Sequence, residues 1–131
     1  MKVKICIVVS TYNKQITNEM CKMAKTKLSD LGIKKIDTVN VPGAFEIPVA
    51  IAKLIKKYDG FIAIGCIIKG ETANFELISK AITDGIMQLS IIHKKPIGNS
   101  IITSFNKQQA EMRYDRGKEA AAAVFEVLKI K

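Results

Sequence analysis

The sequence predicts an α/β fold with three layers, in which a four-stranded parallel sheet carries helices on both faces. Short apolar runs of strand length alternate along the chain with longer segments whose apolar residues recur every three or four positions. Two of the short runs, 3–10 and 60–68, are almost continuously apolar, which is typical of strands buried on both faces. Strands that alternate with helices favour right-handed crossovers and hence a parallel sheet.

The remaining elements follow in a regular order after the first strand. A helix is predicted over 13–31, because apolar side chains recur at helical spacing from Ile16 to Leu28 and Gly32 can end it. Further strands are predicted at 35–41, 60–68 and 97–103, and further helices at 44–57, 72–92, 106–112 and 118–129. Pro48 falls near the first turn of the second helix, where proline is tolerated.

Length and composition indicate a single domain over 1–131 in a cytoplasmic protein. The chain has 131 residues, of which 48% are hydrophobic and 25% charged, as is usual for a globular domain. No apolar run reaches the ~20 residues that span a bilayer, and the start lacks the cleavage site of a secretory leader. We therefore expect no membrane association. The three cysteines are an odd number without C-x-x-C spacing, which fits small core residues in a reducing compartment.

The positive charge of the chain does not by itself indicate a nucleic-acid partner. The formal net charge is +9, but 19 of the 21 basic residues are lysines spread over the whole sequence. Aromatic residues make up 6% and tryptophan is absent, so platforms for stacked bases are scarce and we expect no nucleic-acid binding. A mild positive field would favour anionic substrates. With a single histidine and no ligand spacing among the cysteines, we expect no metal site.

The loops that follow the four strands form the candidate site, because ligands of parallel sheets bind beyond the carboxyl ends of the strands. They are 10–13, 41–46, 69–74 and 103–106. In the third loop, Gly70 permits close backbone approach, and a helix that begins at Glu71 and Thr72 would offer free N–H groups to a phosphate. The alternative is an ordinary helix start capped by Thr72.

Four other side chains near these loops have both a structural and a functional interpretation. Glu46 is predicted in the first turn of a helix, where its negative charge interacts favourably with the helix dipole. Its carboxylate could also accept hydrogen bonds from a polyol. Tyr12 could stack on a flat ring or lie half-buried with a solvated hydroxyl. The two arginines, Arg113 and Arg116, lie close together in sequence, and guanidinium groups suit phosphate.

Several segments, in this order and at these spacings, resemble the 6,7-dimethyl-8-ribityllumazine synthase family of riboflavin biosynthesis over essentially the whole chain. They are VVSTYNKQIT, VPGAFEIPVA, YDGFIAIGCIIKGET, PIGNSIIT and QAEMR. The resemblance implies a flavodoxin-like fold. It also implies condensation of 5-amino-6-ribitylaminopyrimidinedione with 3,4-dihydroxy-2-butanone 4-phosphate, without metal or organic cofactor. The subunits would form pentamers or multiples of pentamers, with each active site between neighbouring subunits.

The resemblance also implies roles for individual residues. Tyr12 matches the ring stacked on the pyrimidine, and Ala44 and Glu46 match the residues that hold the ribityl chain. Substrate-binding residues are expected at Tyr12, Asn13, Ala44, Phe45, Glu46, Ile67, Ile68, Lys69, Asn99 and Arg116, phosphate-binding residues at Gly70, Glu71, Thr72 and Arg113, and catalytic residues at Asn74 and Arg113. Arg113 would be contributed by the neighbouring subunit.

The sequence departs from the family pattern at three places. The pattern G-E-T-x-H-[FY] has a histidine thought to move protons, and Asn74 stands in its place. Many members have phenylalanine where this chain has Asn99. The connection after Arg113 is shorter than usual, so Arg116 is only a stand-in for the second basic residue of the family.

Asn74 leaves more than one function open, because an amide is no general acid or base near neutral pH. We expect a slower but active lumazine synthase. The alternative is a protein that retains the fold and binds flavin-like or lumazine-like rings, or forms a shell, without catalysis. A basic nucleic-acid-binding module and the related archaeal type of riboflavin synthase fit the motifs less well.

Overall fold

Four parallel strands form the sheet, in the order β2-β1-β3-β4. The structure is a computed structural model that describes residues 2–131. The strands are β1 (Lys4–Ser10), β2 (Lys35–Val41), β3 (Gly60–Ile68) and β4 (Ile97–Ser104). Every residue of β3 is buried, as its continuous apolar sequence predicts for a central strand. The predicted parallel sheet is confirmed, and the predicted bounds of β2 and β3 coincide with the observed ones.

Helices cover both faces of the sheet and complete the predicted three-layer, flavodoxin-like arrangement. They are α1 (Lys14–Asp30), α2 (Ile47–Leu54), α3 (Phe75–His93), α4 (Lys107–Glu111) and α5 (Arg116–Leu128), with 3₁₀ turns at Ala44–Glu46 and Lys69–Glu71. Helices α1 and α5 pack on one face, and α2 and α3 on the other. None of the helices in residues 2–131 is long and apolar enough to cross a membrane.

Two apolar clusters hold the layers together, one on each face of the sheet. Alternate residues of β1 point to opposite faces, so Ile5 and Ile7 pack under α1 and α5 while Cys6 and Val8 pack under α2 and α3. The contact between α1 and α5 is especially close at Gly117, where an added Cβ would overlap the carbonyl group of Met20. This contact fixes α1, and with it the first loop, against the sheet.

The prediction of one helix over 72–92 is wrong at its start, since α3 begins only at Phe75. Thr72 is extended, with φ −128°, and Asn74 is left-handed, with φ 57°. Glu71 and Thr72 therefore do not open a helix, and Thr72 does not cap one. The backbone has to reverse between β3 and α3, and the left-handed residue that makes this turn is Asn74, a residue type that tolerates positive φ.

The other helical predictions are correct in place but not in every boundary. The predicted helix 44–57 is a 3₁₀ turn at Ala44–Glu46 followed by α2. Pro48 is the second residue of α2, where its missing N–H would have no helical partner. Helix α5 starts two residues before the predicted 118, at Arg116.

Candidate active site

The first two loops are joined by their backbones at the carboxyl edge of the sheet. The N–H of Thr11 donates to the carbonyl of Val41 at 2.8 Å, and the N–H of Tyr12 donates to the carbonyl of Pro42 at 3.0 Å. The Tyr12 side chain is 55% exposed. Its ring is therefore accessible to a ligand in the single chain.

In the second loop, Glu46 uses one carboxylate oxygen for the backbone. Oε1 accepts a hydrogen bond from the N–H of Gly43 at 2.9 Å, and the N–H of Glu46 donates to the carbonyl of Gly43 at 3.2 Å. This small ring fixes the carboxylate at the start of the 3₁₀ turn, and Oε2 stays available to a ligand. Next to it, the Phe45 ring is 60% exposed.

The third loop lies against the fourth loop. The Nζ of Lys69 is 5.4 Å from the centre of the Phe105 ring and 3.6 Å from Oε1 of Glu76. A Cβ on Gly70 would lie 3.8 Å from the carbonyl oxygen of Phe105, an ordinary contact distance. The Gly70 backbone is exposed, so it can approach a ligand.

Asn74 holds the last backbone turn before α3. Its φ of 57° and ψ of 41° are left-handed, and its side chain does not cap the helix. The first helical hydrogen bond runs from the N–H of Ile78 to the carbonyl of Asn74, at 3.0 Å. The N–H groups of Phe75, Glu76 and Leu77 therefore have no partner within the helix. These N–H groups, and not those of Glu71 and Thr72, are therefore the ones that a helix start offers to an anion here.

The fourth loop is fixed by a reciprocal pair of hydrogen bonds that the sequence interpretation missed. The Oδ1 of Asn106 accepts from the N–H of Gln109, and the Oε1 of Gln109 accepts from the N–H of Phe105, both at 2.9 Å. The Asn-x-x-Gln spacing is a capping signal that could have revealed them. This arrangement starts α4, which leads to Arg113.

The two arginines do not act together in the single chain. Nη1 of Arg113 donates to the carbonyl of Thr103 at 2.6 Å, at the end of β4. Arg116 is instead the first residue of α5, and its Nε lies 3.6 Å from Oε2 of Glu119. The Arg113 side chain is exposed, so its guanidinium has donors left for a ligand outside its own chain.

A polar cavity of about 440 Å³ brings the first and third loops together with α4. Its lining residues are Tyr12, Asn13, Lys14, Gln15, Ile16, Glu71, Lys107 and Glu111. Nζ of Lys107 lies 4.0 Å from Oε2 of Glu71 across it. Only three of these residues were predicted as site residues. Lys107 and Glu111 lie within or beside the motifs quoted above, but their charges alone did not distinguish them from surface residues.

Three predicted binding residues have side chains that point away from the loops or lie apart from them. Ile67 and Ile68 are only 5% and 3% exposed, so they can reach a ligand only through the backbone. Asn99 lies within β4, and its Oδ1 accepts from the N–H of Ile101 at 3.0 Å. Its side chain is exposed on β4, which is an edge strand of the sheet.

The thiol of Cys66, at the end of β3 beside these loops, is not an activated nucleophile. Burial, and next the Glu71 carboxylate, raise the pKa of the Cys66 thiol to about 11, so it stays protonated at neutral pH. Residues 2–131 contain no group of three His, Cys, Asp or Glu side chains that could hold a metal ion.

The parallel sheet, its two helical layers and the loops gathered at its carboxyl edge define an α/β protein of the flavodoxin-like class. The sequence model of the family described as 6,7-dimethyl-8-ribityllumazine synthase matches residues 2–131. The chain belongs to this family.

Three relatives with that name illustrate the similarity. The protein from Albidiferax ferrireducens is 40% identical over 131 residues, covering 96% of this chain and 83% of the relative. That from a Polaromonas species is 39% identical, covering 96% and 85%. That from Mycolicibacterium paratuberculosis is 34% identical over 128 residues, covering 92% and 80%.

Proposed function

We propose that the chain condenses 5-amino-6-ribitylaminopyrimidinedione with 3,4-dihydroxy-2-butanone 4-phosphate to give 6,7-dimethyl-8-ribityllumazine, as a transferase of riboflavin biosynthesis. An imine forms with loss of water, phosphate is eliminated, and the ring closes with loss of a second water. The observation that supports this best is the set of groups at one edge of the sheet. An exposed Tyr12 ring, a fixed Glu46 carboxylate and the free N–H groups at the start of α3 suit a flat ring, a polyol and a phosphate.

Each loop has a distinct role in this proposal. Tyr12 stacks on the pyrimidine, with Asn13 beside it, and the backbones of Ile67, Ile68 and Lys69 line its edge. Glu46, through Oε2, and the 3₁₀ turn at Ala44 and Phe45 hold the ribityl chain. The turn from Gly70 to Thr72 and the first N–H groups of α3 bind the phosphate. For Tyr12, Ala44 and Glu46, and for 67–72, these roles are also those that the resemblance to the family implies.

Asn74 changes how protons are handled in the reaction. Its amide cannot accept or release a proton near neutral pH, so water or the substrate phosphate performs the transfers. A general acid or base is typically worth ~10²–10⁴-fold in rate, whereas holding two reactants together can contribute about 7–11 kcal/mol. Positioning therefore suffices for catalysis in this proposal, at a rate below that of members with histidine.

The complete site lies between subunits of a homo-oligomer in this proposal. Arg113 bonds its own Thr103, and Asn99 faces outward from the edge strand β4. The exposure of both side chains is compatible with contact to a neighbouring chain. We infer a pentamer or a multiple of pentamers, in which Arg113 completes the phosphate site of the neighbour. Arg116, paired with Glu119, has a minor role. The reaction uses neither metal nor organic cofactor and takes place in the cytoplasm.

The second candidate is a protein that binds lumazine-like rings or forms a shell without catalysis. Only Asn74 favours it, and family membership does not. Binding of the ring through Tyr12 would be common to both functions. Turnover is therefore the property that separates them.

The test follows lumazine formation by absorbance after the two substrates are mixed with the assembled protein. A protein-free control is essential, because the condensation also proceeds slowly unaided. We expect a rate clearly above this control, and a roughly 10–100-fold fall in kcat/KM for Arg113→Gln, since hydrogen bonds to charged groups are worth about 1.5–3 kcal/mol. Lys22→Gln, an exposed charge on α1, is the matched control. No excess rate in folded, oligomeric protein would favour the second candidate.

A further inference from the structure

Ten of the 19 lysines lie at the edge of the sheet opposite the candidate active site. Residues 2–4, 31–35, 55–59, 94–97 and 129–131 surround the starts of the four strands and the end of α5, and together we call them the amino edge. They contain ten lysines and one acidic residue, Asp59. The combined formal charge of these ranges is +9, which equals the formal net charge of the whole chain. The rest of the molecule therefore has equal numbers of positive and negative side chains.

One groove of the amino edge lies between the starts of β1 and β2. Its volume is about 520 Å³, and Lys2, Lys4, Lys34 and Lys35 line it together with Val3. The groove also contains Asp59, but one oxygen of that carboxylate already accepts the N–H of Lys4 at 2.8 Å. Four ammonium groups therefore surround a floor made largely of apolar atoms.

A second groove, of about 450 Å³, lies at the start of β4 between the last turns of α3 and α5. Lys94 and Lys95 flank it, and its apolar lining includes Ile91 and Ile130. These two isoleucine side chains are 65% and 75% exposed. Exposed apolar side chains beside unbalanced positive charge are more than a solvated lysine surface requires.

The positive charges of the amino edge are mostly unpaired. Within residues 2–131, Lys129 is the sole lysine of this edge in an ion pair, with Glu126 at 2.8 Å. Lys95 donates to the carbonyl of Ile55 at 2.6 Å, just after α2. The C-terminus of a helix interacts favourably with nearby cations, and this explains the position of Lys95. It does not explain the neighbouring pair Lys34 and Lys35.

We propose that the amino edge is a docking surface for an acidic segment of another protein, one that carries aspartate and glutamate around an apolar anchor residue. The acidic side chains match the lysines, and the anchor matches the exposed isoleucines. The amino edge contains no arginine, and its one aromatic residue, Tyr58, is bonded to Asp37 at 2.7 Å. The bases of a nucleic acid would have no free aromatic ring to stack on at this edge, and the exposed isoleucines would have no apolar partner.

The test measures fluorescence anisotropy of a labelled peptide of Asp and Glu with one central leucine, added to the assembled protein. The test variant is Lys34→Gln with Lys57→Gln and Lys94→Gln, and the matched control is Lys22→Gln with Lys80→Gln and Lys118→Gln. We expect binding that weakens with salt and falls roughly tenfold in the test variant, because single surface charges contribute modestly. The control variant should lose less than about threefold.

Three results would overturn the proposal. One is no binding at low salt, and another is an equal loss in both triple variants, which would indicate attraction by net charge alone. The third is a peptide affinity that does not change when the leucine is replaced by serine, together with equal affinity for a single-stranded oligonucleotide of the same charge. Sedimentation of the test variant guards against a fourth explanation, since a changed oligomeric state would show that this edge joins copies of the chain instead.

Discussion

The first and third loops use the same backbone turn for different purposes. Each ends in an asparagine with left-handed dihedrals directly before a long helix. Asn13 has φ 61° and ψ 44°, and Asn74 has φ 57° and ψ 41°. Neither side chain caps its helix. The local chain geometry is therefore alike, and the difference between the loops lies in what surrounds them.

The first loop is anchored to the core. Nδ2 of Asn13 is 3.4 Å from the carbonyl oxygen of Cys66, and the buried hydroxyl of Thr17 donates to the carbonyl of Ser10 at 2.8 Å. Behind it, Gly117 of α5 lies against the backbone of α1 at Met20. These contacts make the first loop part of the folded scaffold.

The third loop is held mainly by exposed charges. Lys69 pairs with Glu76 at 3.6 Å and Glu71 with Lys107 at 4.0 Å, and exposed pairs of this kind contribute little to stability. Among the described residues, the Asn74 side chain makes no hydrogen bond. We therefore expect changes to the contacts behind the first loop to lower stability, and changes in the third loop to lower turnover with little effect on stability.

The largest expected contrast is between two glycines. Gly117→Ala places a Cβ against the carbonyl of Met20, whereas a Cβ at Gly70 meets nothing closer than 3.8 Å. Overpacking typically costs about 1–3 kcal/mol, and this backbone clash should lie at about 3 kcal/mol. Gly70→Ala should change the free energy of unfolding by less than about 0.5 kcal/mol. Urea denaturation measures both, and equal losses would contradict the division between the loops.

A smaller contrast is expected between two threonines. Thr17→Val removes a buried hydroxyl and leaves the carbonyl of Ser10 without its side-chain donor. The expected cost is about 1–2 kcal/mol in the free energy of unfolding. Thr72→Val, in the extended turn, should cost less than about 0.5 kcal/mol but lower kcat/KM. The comparison would fail if Thr72→Val were the more destabilising change.

Most of the fold follows from the sequence because buried parallel strands leave a strong apolar signal. The predicted strands 35–41 and 60–68 have the observed bounds. The start of α3 was mispredicted because Thr72 resembles a cap in sequence, while the position of the turn depends on how β3 and α3 pack on the sheet. Propensity along the chain does not contain that information.

The sequence predicted which loops form the site, but not the contacts that join these loops. Tyr12 and Glu46 were identified from their positions after β1 and β2. The bond from Arg113 to Thr103 and the cavity shared with Lys107 depend on tertiary packing. The lysines are spread over the sequence, but the turns before parallel strands all lie at one edge, so lysines that are distant in sequence meet there in space.

The central claim is that positioning alone gives turnover, with Asn74 in place of a proton-transferring histidine. The most direct measurement is kcat for lumazine formation by Asn74→His beside the original protein, with both rates corrected for the protein-free reaction. Histidine tolerates the left-handed backbone at this position. The account predicts a measurable rate for the original protein and a rise of about tenfold or more for Asn74→His. No rate above the protein-free reaction for the original protein would contradict the claim, and an unchanged or lower kcat in folded Asn74→His would show that the missing histidine does not limit the rate.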